Sequence, residues 1–212
     1  MSNFIRPDLI FYVLTIPFSL VIHEYSHARA ADWLGDKTPR MTGRLTLNPL
    51  AHLDLLGLLM MLFGPIGWAK PVPISGSNFR HPRMGLLLTA FAGPLSNFIL
   101  ACACFLILKL WPVSLSVGTL ALFVQRLFAY GAYVNVILFV FNIVPIPPLD
   151  GSRIVSNLLP YKQEMVWRRL EVYGPFLLVL IVILPPVQTH VMYPFFNYAV
   201  SIVASWFGLT GL

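Results

Sequence analysis

The chain has 212 residues, 58 % of them hydrophobic and only 10 % charged, against roughly a quarter charged in soluble domains. That balance excludes a water-soluble globular domain, which could not cover so much apolar surface. The net charge of +6 is spread through connecting segments and forms no dense basic patch, which argues against nucleic acid as a partner and for membrane topology signals.

Long apolar runs extend from Leu9 to Ile22, Leu53 to Trp68, Gly85 to Leu110, Val117 to Val144, Pro175 to Val187 and Tyr193 to Leu209. Crossing the hydrocarbon takes about 20 apolar residues, so some runs are full spans and others are short. The pattern predicts an all-α polytopic membrane protein in the lipid bilayer. No internal repeat or long soluble linker is present, so residues 1–212 read as one membrane-embedded domain. Its core covers about 9–160, and C-terminal helices cover about 174–210. The N-terminus has a single early Arg6 and no short apolar core followed by a small-residue cleavage site. The first helix is therefore expected to stay on the protein.

That first helix carries His23-Glu24-Tyr25-Ser26-His27, an HExxH pattern inside a stretch from Leu9 to Ala31 that is otherwise apolar. Ionisable groups at membrane depth are costly and need a compensating role. Residues four apart share a helix face, so His23 and His27 can point at one Zn²⁺, with Glu24 beside them as a general base. Two helix histidines bonding across to a neighbouring helix are the alternative. A catalytic zinc needs a third protein ligand. Pro17 predicts a kink in the same helix, with a packing role as the other reading.

The run from Leu53 to Trp68 has about 16 residues, near 24 Å as a helix, which is short for a crossing. It ends in Gly64-Pro65 and Gly67 and reads as re-entrant or interfacial. Lys70-Pro71-Val72-Pro73-Ile74 is extended in character and offers an edge strand. Cys102 and Cys104, two apart in an apolar helix, read as packing residues. His52 and His81 are expected to be exposed in loops, and His190 to lie on the opposite face.

Asn142-Ile143-Val144-Pro145-Ile146-Pro147-Pro148-Leu149-Asp150-Gly151 must end a helix, because its prolines remove amide donors and force extended backbone. Such backbone is tolerated at membrane depth only where it is buried in protein or lines a wet cavity. Asp150 on this segment can meet a metal; the other reading is a turn with Asp150 capping the next helix. Lys37, Arg40, Arg44, Lys70, Arg80 and Arg83 lie in one connection, and Arg153, Lys162, Arg168 and Arg169 in another. By the positive-inside rule both are cytoplasmic. The histidines and Asp150 can then share a depth near the cytoplasmic face of the cell membrane.

The HExxH, the Ala92-Gly93-Pro94-Leu95-Ser96-Asn97 stretch, the Gly67-Trp68-Ala69-Lys70-Pro71-Val72 stretch and the Asn142 to Gly151 motif together resemble the site-2 protease family. The nearest likeness is to the compact prokaryotic branch of these intramembrane zinc metalloproteases, which lacks a PDZ insertion. The resemblance spans roughly residues 10 to 160. It implies a three-helix catalytic core, one Zn²⁺ held by His23, His27 and Asp150, Glu24 as general base, and Asn142 at the substrate. Single-span membrane proteins would be the substrates, cut within or near the bilayer. Asn97 reads as bonding across helices, and Gly93 as allowing close helix packing.

Two rivals remain. A membrane HExxH protease with a glutamate as third ligand would have to use Glu164 or Glu171. A non-proteolytic membrane protein would bind transmembrane helices or a metal without cutting.

Overall fold

The computed structural model describes residues 8–54, 57, 69–111 and 118–209. Three helices are long and apolar enough to cross a membrane: α1 (Leu9–Leu34), α2 (Pro82–Leu110) and α3 (Thr119–Ile143). Two short helices follow, α4 (Asp150–Leu158) and α5 (Tyr161–Leu170), then α6 (Gly174–Ile183) and α7 (Tyr193–Trp206). The helices Gly174–Ile183 and Pro185–Trp206 meet at a 76° bend, a broken span or a re-entrant turn. Among the described residues there is no named strand, and the chain is an all-α, multi-pass membrane protein. Helix α1 runs unbroken through Pro17.

Burial is arranged opposite to that of a soluble protein. Ser19, Asn97, Gln125 and Asn135 are buried, whereas Phe18, Ile99, Leu106 and Leu120 are exposed. Lipid tails are as apolar as leucine, so helices here associate through small residues and interhelical hydrogen bonds rather than by hiding large side chains. Ala28 and Ala31 on α1 and Ala90 on α2 are buried accordingly. A second cluster, with Ala101, Phe105, Ala132, Val136, Val200 and Val203, packs α7 onto α2 and α3. Cys102 and Cys104 pack against this cluster as free thiols.

The expected re-entrant segment from Leu53 to Trp68 falls almost wholly outside the described residues. Its flanks do not: Leu53 and Ala69 form an isolated antiparallel bridge, and Lys70 N donates to the His52 carbonyl at 2.7 Å. The two flanks therefore lie on the same side. His52 corrects its sequence reading, because it is fully buried. Its Nε2 donates to the Thr46 carbonyl at 2.6 Å, and the Arg44 guanidinium donates to the adjacent Ala51 carbonyl. A histidine so placed closes a loop. His81 is exposed, as expected.

Residues 70–74 form neither helix nor strand, so the edge strand expected there is not formed; Val72 is buried, and the Ser75 that follows is bonded to Asp36. This fully buried carboxylate accepts four donors: Thr38 N at 3.0 Å and Thr38 Oγ1 at 2.6 Å, Asn78 Nδ2 at 2.8 Å and Ser75 N at 2.7 Å. The bonds tie the loop after α1 to the residues that follow Ile74. Burial pushes the Asp36 pKa up, but the hydrogen bonds from Thr38, Asn78 and Ser75 outweigh it and hold the carboxyl below its ordinary value. A folded value below the unfolded one means that the stabilisation is complete above about pH 4 and is lost as pH falls through the folded value. Asp36→Asn turns one acceptor into a donor facing donors, at a cost of about 1–3 kcal/mol. The variant should melt below wild type at neutral pH in detergent, with the gap closing in acid.

Candidate metal centre

One turn of α1 separates His23 from His27, so both rings leave the same helix face. Both are buried, and each is fixed through Nδ1. His27 Nδ1 lies 2.7 Å from the Thr89 carbonyl oxygen on α2. A carbonyl only accepts, so the His27 proton sits on Nδ1. His23 Nδ1 lies 2.6 Å from Asn97 Oδ1. Asn97 Nδ2 donates to Asn135 Oδ1 on α3 at 2.8 Å, and Asn135 Nδ2 donates to Ser19 Oγ and to the Gly131 carbonyl, both at 2.8 Å. This chain orients each amide and leaves Asn97 Oδ1 to accept from His23. Both imidazoles therefore turn an unprotonated Nε2 inward, the arrangement that outer partners impose on metal-binding histidines.

The two Nε2 atoms lie 3.0 Å apart, and they are 3.1 and 3.2 Å from Asp150 Oδ2. A single proton can relieve one edge of this triangle; it cannot relieve all three. Zinc bonded at about 2.0–2.1 Å in a tetrahedron sets its ligand atoms roughly 3.3 Å apart, close to the observed edges. Among the described residues, His23, His27 and Asp150 form the group able to hold a metal ion. Gly93 on α2 adds to the fit: a Cβ there would lie 2.7 Å from His23 Nε2 and still closer to His27 Nε2. The missing side chain keeps the nitrogen pair open.

Asp150 reaches the site because the chain turns sharply after α3. Ile146 N bonds back to the Val144 carbonyl and Leu149 N to the Ile146 carbonyl. A Cβ on Gly151 would collide with the Ile143 carbonyl, so glycine lets α4 start against the end of α3. Leu149 is the N-cap, without a side-chain cap bond. Asp150 is thus not the cap, and its carboxylate goes to the histidines.

Glu24 is half-buried next to His23 on α1. Asn142 stands in the last turn of α3 and donates Nδ2 to the Leu138 carbonyl of its own helix at 2.9 Å. Glu164 bonds to Arg83 and Arg168, which places it outside the His23–His27–Asp150 group. A cavity of about 520 Å³ at His27 is lined by Pro71–Ile74 and by Arg153 of α4.

The chain matches the model of peptidase family M50 over residues 112–184, which include Asn142 and Asp150. It is 37 % identical over 190 residues to "Putative zinc metalloprotease YwhC" of Bacillus subtilis (strain 168), covering 88 % of this chain and 86 % of that protein. The chain belongs to peptidase family M50, the site-2 proteases. This M50 peptidase is also 27 % identical to "Putative zinc metalloprotease Rip2" of Mycolicibacterium smegmatis (strain ATCC 700084 / mc(2)155), over 85 % of this chain and 71 % of that protein. The Rip2 protein of Mycobacterium tuberculosis (strain ATCC 25618 / H37Rv) is 29 % identical over 171 residues, 78 % of this chain and 62 % of that protein. No solved structure gives a significant match.

Thr89, Asn135 and Ser19, which orient the ligands, escaped the sequence reading, and Asn97 was read only as a link between helices. The signal was the presence of polar side chains inside apolar runs, and it gives no partner. Two variants test this supporting role by elemental analysis and chelator competition on purified protein. Gly93→Ala should lose the metal although Gly93 ligates nothing, and Asn97→Ala should bind it about 10–100-fold more weakly. A fully loaded Gly93→Ala protein would refute the geometry.

Proposed function

We propose that this M50 peptidase is an intramembrane zinc metalloprotease that hydrolyses peptide bonds in or near the transmembrane segments of single-span membrane proteins. The convergence of His23 Nε2, His27 Nε2 and Asp150 Oδ2 beside Glu24 carries this reading. Zinc, when bound there, supplies a Lewis acid that acidifies water and polarises a carbonyl. The His23–Asn97 and His27–Thr89 bonds hold the ligand rings in one tautomer. Glu24 takes the proton of the attacking water on a carboxylate oxygen and passes it to the leaving amide nitrogen.

A helical substrate hides its carbonyls, so it must unwind and find partners for the freed backbone groups. Pro71, Val72, Pro73 and Ile74 line the cavity that reaches His27. Pro71 and Pro73 have no amide hydrogen, so Val72 and Ile74 provide the donors, and in an extended chain these point the same way. A substrate strand can add to that edge. Asn142, at the end of α3, is the family's substrate-contacting position. The basic residues of segments 32–84 and 145–172 favour a site near the cytoplasmic face, where the path for water is short.

Glu24→Gln should keep its zinc and lose about 10²–10⁴-fold in cleavage of a single-span peptide. Undiminished cleavage would eliminate Glu24 as the base, and zinc binding without any cleavage by wild type would favour the non-proteolytic alternative. Val72→Pro and Ile74→Pro each delete one edge donor. Both should lower kcat/KM at unchanged zinc content, and unchanged kinetics in both would remove the added-strand idea.

A further inference from the structure

Helix α5 carries three cations, Lys162, Arg168 and Arg169, and one acid, Glu164. The acid is turned inward. Glu164 accepts from Arg83 NH2 at 2.6 Å and from Arg168 NH2 at 2.8 Å, and these two guanidinium groups, with Arg168 the larger influence, hold its carboxyl below the ordinary range. At 100° per residue, Met165, Val166 and Leu170 share the side opposite Glu164 with Lys162 and Arg169. Those three apolar residues are 45–57 % exposed. An exposed face that mixes large apolar side chains with cations and contains no acid suits neither water alone nor hydrocarbon alone.

The depth of this helix is set at both ends. Arg83 belongs to the first turn of the membrane-crossing helix α2, so its bond to Glu164 holds α5 level with the start of that span. Beyond α5, Gly174 packs so closely on Pro147 that a Cβ would collide with it, which keeps the start of α6 beside the segment that ends α3. α5 therefore lies between span ends, where lipid headgroups are found.

We propose that α5 is an interfacial helix whose outward face binds the anionic phospholipid headgroups of the bilayer. Met165, Val166 and Leu170 enter the acyl boundary, and Lys162 and Arg169 pair with headgroup phosphates, as basic amphipathic helices do. Charge complementarity selects this occupant over a second copy of the chain, which would bring the same cations face to face. Arg168 and Glu171 line the cavity that opens from His27, so the seating of α5 also sets the width of its mouth. That last consequence rests on the proteolytic reading; the lipid surface does not.

The test uses the full chain with its metal, carrying Cys102→Ala, Cys104→Ala and a spin-labelled Met165→Cys, in vesicles of phosphatidylcholine alone or mixed with phosphatidylglycerol. In mixed vesicles the label should become accessible to oxygen and shielded from a water-soluble nickel complex, more than in phosphatidylcholine alone. Lys162→Gln and Arg169→Gln should reduce this preference by roughly fivefold per charge, and salt should weaken it. Equal accessibility in both vesicles, or spin–spin broadening from a second labelled chain, would overturn the proposal. Cleavage of a single-span peptide in the same vesicles separates the two claims. If the label responds to lipid while no vesicle supports cleavage, the proteolytic reading fails and the lipid-binding face stands.

Discussion

Three electron-pair donors stand 3.0–3.2 Å from one another in a place with little water to screen them, and the surrounding fold is arranged around that constraint. Uncompensated, such a triangle is repulsive, and the repulsion grows as the local dielectric falls. The same property makes it a strong cation site. Each feature that brings the donors together acts at short range: Gly93 removes a side chain from one side, Gly151 lets α4 begin against α3, and the Thr89 and Asn97 acceptors prevent either ring from turning its protonated nitrogen inward.

The bilayer explains why a polar network is the means of holding them. In water, an isolated Asn97–Asn135–Ser19 chain would compete with solvent and contribute little. Between apolar helices the alternative to each bond is an unsatisfied group, so the network has one satisfied arrangement and fixes the rotation of α1, α2 and α3 about their axes. Rotation is what a metal site demands. Turning α1 by one residue would carry both histidines about 100° away from Asp150. Small residues at Ala28, Ala31 and Ala90 set the spacing of the helices, and the hydrogen-bonded chain sets their phase.

What could be read in the sequence follows the same division. HExxH was legible because the helical period converts a spacing of four into a shared face, and Asp150 because three prolines force the chain to stop near it. Gly151 and Gly93 were legible as close approaches, although neither the carbonyl nor the ring nitrogens they approach could be named. Thr89 acts through its backbone carbonyl, which no side-chain pattern reveals. His52 was misread because a loop histidine beside polar residues looks solvated in sequence; its burial depends on Arg44 and Thr46 folding over the same turn. The Asp36 cluster joins residues 39 and 42 positions apart, and nothing local in either segment points to the other.

Residues 71–74 and Arg168 of α5 line one cavity, and their chemistry differs for a physical reason. On the proposed reading, residues 71–74 would offer backbone to a substrate drawn out straight, and the alternate prolines would confine the donors to one edge, since donors on both edges would pair with the wrong neighbour as readily as with the right one. α5 presents the charged side chain of Arg168, with Glu171 just after its end, and their effect depends on where the helix sits. Under the proposed function, the peptidase would have to tolerate many apolar sequences while excluding intact helices. Backbone recognition on one wall and a side-chain rim on the other would meet both requirements without an apolar specificity pocket, which would have to compete with lipid that is just as apolar.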